Sequence, residues 1–256
     1  MKVLIFGGTT EGRELSRALI NSGIDVTLSV TTEYGRETVI KDIDRTQIDP
    51  AMILSDKLDK DDMIKLLRHS DHDYVIDATH PYAAAATKNI RPACEATGKT
   101  YYRLKRPESA TTPGIEYVPD AAAAVKTLNK SEKKALLTTG SKDLELFSHV
   151  KDYRHRLFIR ILPMPDSLIK VLDLGYQGSN IICMQGPFSK EMNMEIMKKT
   201  GVKILVTKDS GDIGGFGAKI SAALSLGCEV IVIKQPAQEE GYTYEEIFSI
   251  ICRHKK

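Results

Sequence analysis

The chain has 256 residues, room for one large α/β domain or two small ones, and its formal net charge of +2 is nearly balanced. Its charges are dispersed rather than gathered into a basic arm, and no apolar run approaches the roughly 20 residues of a membrane helix, so neither nucleic acid nor membrane is an expected partner. The first residues pass directly into an apolar run with no signal-peptide layout, and a cytoplasmic location is expected.

Lys2–Phe6 reads as a buried parallel strand that stops at Gly7 and Gly8. A helix follows over Glu11–Ser22, with Gly12 in its first turn and Gly23 closing it. Strand, glycine turn and helix N-terminus together attract an anion, usually a phosphate, because backbone N–H groups and the helix dipole point at it. The fit to the dinucleotide fingerprint is imperfect: Thr9 stands where the second glycine belongs. Asp25–Val30 and Met52–Ser55 are further strands, then come a helix over Lys60–Arg68 and a strand over Tyr74–Asp77. The alanine-rich helix Ala83–Thr97 ends at Gly98, Thr100–Leu104 and Ile115–Val118 are strands, and Asp120 caps a helix reaching Leu128.

After the charged stretch Asn129–Lys134 the alternation restarts. Ala135–Thr138, Leu157–Leu162, Asn180–Met184, Ile204–Thr207 and Glu229–Ile233 read as strands. Lys142–Ser148, Pro165–Leu174, Phe188–Thr200, Gly217–Leu226 and Tyr244–Arg253 read as helices. Such alternation implies parallel sheets covered on both faces, with more strands than one sheet usually holds. The expected fold is two doubly wound α/β domains of Rossmann-like type, 1–130 and 131–256, facing a central cleft.

Cys94, Cys183, Cys228 and Cys252 form no C-x-x-C pair and are expected to be small buried hydrophobes. The six histidines lack metal spacing, with His69 and His72 in a polar loop, so no metal site is expected. The unusual polar residues instead gather after strands, where ligands bind in open α/β sheets. They include Thr31-Thr-Glu-Tyr-Gly-Arg36, Asp77-Ala-Thr-His-Pro-Tyr82, Thr138-Thr-Gly-Ser-Lys-Asp143 and Lys208-Asp-Ser-Gly-Asp-Ile-Gly-Gly215.

This set resembles the precorrin-6A reductases and cobalt-precorrin-6A reductases of cobalamin biosynthesis. The resemblance is carried by Gly7-Gly-Thr-Thr-Glu-Gly12, Asp77-Ala-Thr-His-Pro-Tyr-Ala83, Tyr102-Arg-Leu-Lys-Arg-Pro107, Thr138-Thr-Gly-Ser-Lys142, Arg160-Ile-Leu-Pro163, Gln185-Gly-Pro-Phe188 and Thr207-Lys-Asp-Ser-Gly211, in order from residue 1 to about 236. It implies a reduced nicotinamide cofactor, a tetrapyrrole substrate, and hydride transfer to a double bond of the macrocycle. Cobalt, if present, travels in the substrate.

With the resemblance, Gly7, Gly8 and Gly12 are expected to cradle a pyrophosphate, with hydroxyls from Thr9 and Thr10, of which Thr10 is also well placed to cap the helix. Thr31, Thr32 and Arg36 suit the 2′-phosphate of NADPH better than the bare diol of NADH, and Glu33 is the residue that would reverse this preference. Thr79 and His80 are assigned to the cofactor side, with Pro81 in the first turn of the next helix; Tyr82 would line the ring pocket. His80, Lys208, Asp209 and solvent are the candidate proton sources, and the sequence does not choose among them. Arg103, Arg106, Ser141, Lys142, Arg160, Lys208, Ser210 and Gly211 are expected to meet substrate carboxylates. For each of these the plainer alternative is a packing glycine, a buried histidine or a surface ion pair. Two other functions use the same opening turn: an S-adenosylmethionine-dependent methyltransferase and a non-catalytic nucleotide-sensing module. A monomer or homodimer fits either.

Overall fold

In the computed structural model the apolar runs become two all-parallel sheets; the residues described are 1–31, 33–41, 49–105, 111–209, 215–236 and 240–254. The chain divides into two units, Met1–Pro107 together with Ala237–Lys256, and Glu108–Pro236. The first sheet contains β1 (Lys2–Phe6), β2 (Asp25–Ser29), β3 (Ile53–Leu54), β4 (Tyr74–Asp77) and β5 (Thr100–Arg103), in the spatial order β3-β2-β1-β4-β5. Between its strands run α1 (Thr10–Asn21), α2 (Glu33–Lys41), α3 (Lys60–His69) and α4 (Ala84–Thr97). The second sheet contains β6 (Glu116–Val118), β7 (Ala135–Leu137), β8 (Leu157–Ile161), β9 (Ile181–Cys183), β10 (Ile204–Lys208) and β11 (Glu229–Ile233), in the order β6-β11-β10-β7-β8-β9. Its helices are α5 (Ala121–Leu128), α6 (Leu144–Phe147), α7 (Tyr153–Arg156), α8 (Pro165–Asp173), α9 (Lys190–Thr200) and α10 (Phe216–Ser225), and α11 (Tyr244–Arg253) closes the chain.

The expected boundary at residue 130 moves to near 107 for two reasons. β6 pairs with β11 in register, Ile231 opposite Glu116, so it belongs to the second sheet. The last helix returns to the first unit: Ile247 and Ile251 are fully buried in a cluster with Leu15, Leu19 and Leu28. Helix α2 follows Thr31 and was not foreseen, since its sequence Glu-Tyr-Gly-Arg-Glu-Thr-Val-Ile-Lys carries little apolar stripe. The central strands are buried along most of their length, as two-sided cover requires.

Each sheet reverses its winding once. In the first the reversal falls between β1 and β4, in the second between β7 and β10. The loops after those strands are the topological switch points at which open α/β sheets bind ligands. Among the described residues no helix is long and apolar enough to cross a membrane, and no group of three His, Cys, Asp or Glu residues is placed to hold a metal. Cys94 and Cys228 are buried as expected, whereas Cys183 is exposed. His72 is buried rather than solvated, its Nε2 lying 2.9 Å from the Thr27 hydroxyl.

Candidate functional site

At the first switch point β1 ends in a turn pressed against the end of β4. Gly7 has φ +133°, and a Cβ there would lie 2.4 Å from the Ala78 carbonyl oxygen. Gly12 faces the same neighbour, since its Cβ would fall 2.8 Å from the Gly7 oxygen and 3.1 Å from Ala78 Cβ. These two glycines allow the strand, turn and helix to close on one another. A Cβ on Gly8 would meet only the Val30 side chain, at 3.0 Å.

Thr9, the misfit of the fingerprint, is the N-cap of α1. Its Oγ1 accepts from the Gly12 N–H at 3.2 Å and donates to the Ala78 carbonyl at 2.9 Å. The hydroxyl therefore ties the turn to β4. Thr10 is the first helical residue rather than the cap; its hydroxyl accepts from Arg13, whose guanidinium also donates to the Gly8 carbonyl at 2.6 Å. The N-terminus of α1, with its N–H groups and the positive end of the helix dipole, points out of this turn. This turn fits the pyrophosphate of a dinucleotide.

The end of β4 is held by a buried network. Arg103, on neighbouring β5, donates to Asp77 Oδ1 at 2.5 Å, to Thr79 Oγ1 at 3.0 Å and to the Thr79 carbonyl at 3.1 Å. The Thr79 hydroxyl donates to Asp77 Oδ1 at 2.7 Å, and Tyr101 donates to Asp77 Oδ2 at 3.2 Å. Arg103 is thus a strut within the sheet, its guanidinium engaged by Asp77 and Thr79. Thr79 is likewise a member of the network. His80 follows, opening a turn closed by the Ala83 N–H at 2.7 Å, with its ring stacked on Tyr82 at 5.3 Å. Pro81 sits in that turn, since α4 begins only at Ala84.

Beyond β2, Thr31 is exposed, and Glu33 heads α2. Arg36 donates to Glu33 Oε1 at 3.1 Å, and Ser55 donates to Glu33 Oε2 at 2.8 Å. Those two hydrogen bonds hold the Glu33 carboxyl below its usual range.

At the second switch point Lys208, the last residue of β10, pairs with Asp143 Oδ2 at 2.7 Å, and Asp209 is buried. Ser141 Oγ lies 3.2 Å from Ser167 Oγ, and Lys142 is exposed. The Thr139 hydroxyl is buried without a hydrogen-bond partner. Arg160, on β8, donates to Asn193 Oδ1 at 2.8 Å and stacks over the Phe188 ring at 4.2 Å; burial lowers its pKa to about 10. Phe188 follows a cis Gly186–Pro187 bond and packs against Gly186, where a Cβ would lie 3.0 Å from its ring. Thr32, Arg106, Ser210 and Gly211 lie outside the described residues.

Reading the sequence missed the Asp77–Arg103 strut, Asn193 and Lys219. Only Lys219 left a signal: it is the sole charged residue in Phe216–Ser225.

The family model for "Precorrin-6x reductase CbiJ/CobK" matches residues 2–251. The cobalt-precorrin-6A reductase of Priestia megaterium is 32% identical over 254 residues, covering 97% of this chain and 96% of that one. The precorrin-6A reductase of Rhodobacter capsulatus is 28% identical, with 92% and 88% covered. The solved structure of CobK precorrin-6A reductase superposes with a TM-score of 0.75 at 25% identity, covering 100% of this chain and 98% of that one. The chain belongs to the precorrin-6x reductase family CbiJ/CobK.

Proposed function

We propose that this protein reduces a precorrin-6A-type tetrapyrrole in cobalamin biosynthesis, drawing hydride from NADPH held at the β1–α1 turn. The observation that carries the reading is this turn at the first switch point, closed by Gly7 and Gly12 against Ala78 in a member of the reductase family. When bound, the reduced nicotinamide supplies the hydride. Everything else falls to the chain. The α1 N-terminus and the backbone around Gly8 hold the pyrophosphate. Arg36 meets the 2′-phosphate; Glu33 holds its guanidinium in place and, with both oxygens engaged, is poorly suited to accept from a ribose diol. His80 borders the same turn through Ala78 and Thr79, stacks on Tyr82, and holds the proton that completes the reduction. Lys208, paired with Asp143, and buried Asp209 serve binding rather than proton transfer. Ser141 and Lys142 take part in holding the acidic arms of the substrate.

The test is oxidation of NADPH, followed at the nicotinamide absorbance band, with precorrin-6A and its cobalt form as separate substrates. Consumption with either supports the reading; none with both rejects it. Thermal shifts with NADPH, NADH and S-adenosylmethionine separate a reductase from a methyltransferase, because a ligand that binds only the native state raises its Tm.

A further inference from the structure

We infer that Arg160 and Lys219 together form a carboxylate-binding site in the second unit, with Asn193 and Phe188 as its fixed walls. Arg160 is 7% exposed and Lys219 8%. Both stand where α10 covers β8: Phe158, two residues before Arg160, packs on the cluster that holds Phe216 and Ile220, the neighbours of Lys219 on α10, and a Cβ on Gly215, just before α10, would lie 4.0 Å from the carbonyl of Phe188, the ring over which Arg160 stacks. Among the described residues no carboxylate pairs with either. The acceptor that Arg160 meets is the neutral amide oxygen of Asn193 at 2.8 Å, and its guanidinium lies over the Phe188 ring. Asn193 is fully buried, and its amide nitrogen donates to the Ser189 carbonyl at 2.8 Å, which fixes its oxygen toward Arg160.

Burying two neighbouring cations without an anion costs free energy that an apolar side chain at position 219 would avoid. Desolvation lowers Arg160 to about 10 and Lys219 to about 8, with the Arg160 charge adding to the fall at Lys219. Lys219 also lies in the N-terminal turn of α10, where the helix dipole disfavours a cation and favours an anion. The guanidinium fork and the ammonium suit one carboxylate. Identifying that carboxylate as an acetate or propionate arm of the substrate rests on the proposed function.

The test uses the full-length protein carrying isotope-labelled lysine, with K219M assigning the Lys219 signal, and uroporphyrin as a tetrapyrrole bearing acetate and propionate arms. Uroporphyrin is expected to raise the Lys219 titration toward the ordinary lysine range, and K219M to weaken uroporphyrin about tenfold or more while leaving NADPH binding within about twofold, as loss of a charged hydrogen bond at one site implies. Ligand-free K219M is expected to melt no lower than the parent, which separates a binding lysine from a structural one. R160Q should reproduce the loss of uroporphyrin affinity, but the proposal stands on K219M if R160Q does not fold. A Lys219 signal indifferent to uroporphyrin, or one that answers to NADPH instead, overturns the site. Uroporphyrin binding that depends on Lys219 in a protein that never oxidises NADPH would keep the site and reject the reductase reading.

Discussion

Arg103 and Asp77 form an ion pair at 2.5 Å across neighbouring strands, with side chains 8% and 0% exposed. The pair ends β4 in a fixed geometry, and through Thr79 it sets the turn that carries His80. Removing one partner strands a buried charge, at about 3–5 kcal/mol. R103M and D77N should therefore each lower Tm strongly. The double variant should lose less than the sum of the two in chemical denaturation. Single variants that melt with the parent would show that the pair does not hold β4.

Two glycines separate strain from steric conflict. Gly7 has positive φ and an opposing carbonyl at 2.4 Å from a would-be Cβ, whereas Gly98 has φ +67° and nothing within 4 Å. Gly98→Ala should cost about 1 kcal/mol, from backbone conformation alone. Gly7→Ala should cost clearly more, because β4 must move. Equal losses in urea denaturation would mean that the turn is looser than the contact with Ala78 implies.

Gly8→Asp probes the same turn with less conflict than Gly7→Ala, since the added Cβ meets only the Val30 side chain, at 3.0 Å, and no backbone. The variant should keep a cooperative melt close to that of the parent and lose NADPH binding by charge repulsion. Undiminished binding in calorimetry would remove the pyrophosphate from this turn.

Arg36→Ala should weaken NADPH about tenfold or more, the scale of a charge-assisted hydrogen bond, and leave NADH little changed. Glu33→Gln should act in the same direction but less, by freeing the guanidinium. Equal loss of both cofactors in R36A would refute the 2′-phosphate role.

Lys219 predicts an unusual pH dependence. Its folded pKa is lowered from 10.5 to about 8, so between those values the unfolded chain holds a proton that the native state has released. Native stability should rise as pH climbs from about 8 toward 10.5, and below about 8 the penalty is full and constant. Denaturation of the parent and K219M at stepped pH isolates this term: the difference between them should shrink with rising pH. A constant difference would mean that Lys219 is charged and solvated throughout.

The strands were legible because a parallel strand covered on both faces reads as an unbroken apolar run, as in Val3–Phe6 and Val230–Ile233. The polar turns of the candidate site were legible because they follow those strands. What escaped depends on contacts distant in sequence. The domain boundary turns on β6 pairing with β11 and on α11 packing against α1, and neither leaves a local mark. The partner of Arg103 is revealed only by the register of β4 with β5, which sets Asp77 opposite it. Thr9 looked like a defect until its hydroxyl was placed between Gly12 and Ala78. Helix α2 was missed because its pattern is mostly polar.

The central claim, hydride transfer to a precorrin-6A-type tetrapyrrole, is tested most directly by single-turnover reduction with NADPH deuterated at the transferred position. The account predicts one deuterium in the tetrapyrrole product by mass spectrometry, together with loss of the nicotinamide band. A product formed without deuterium, or no product while NADPH stays reduced, would contradict it.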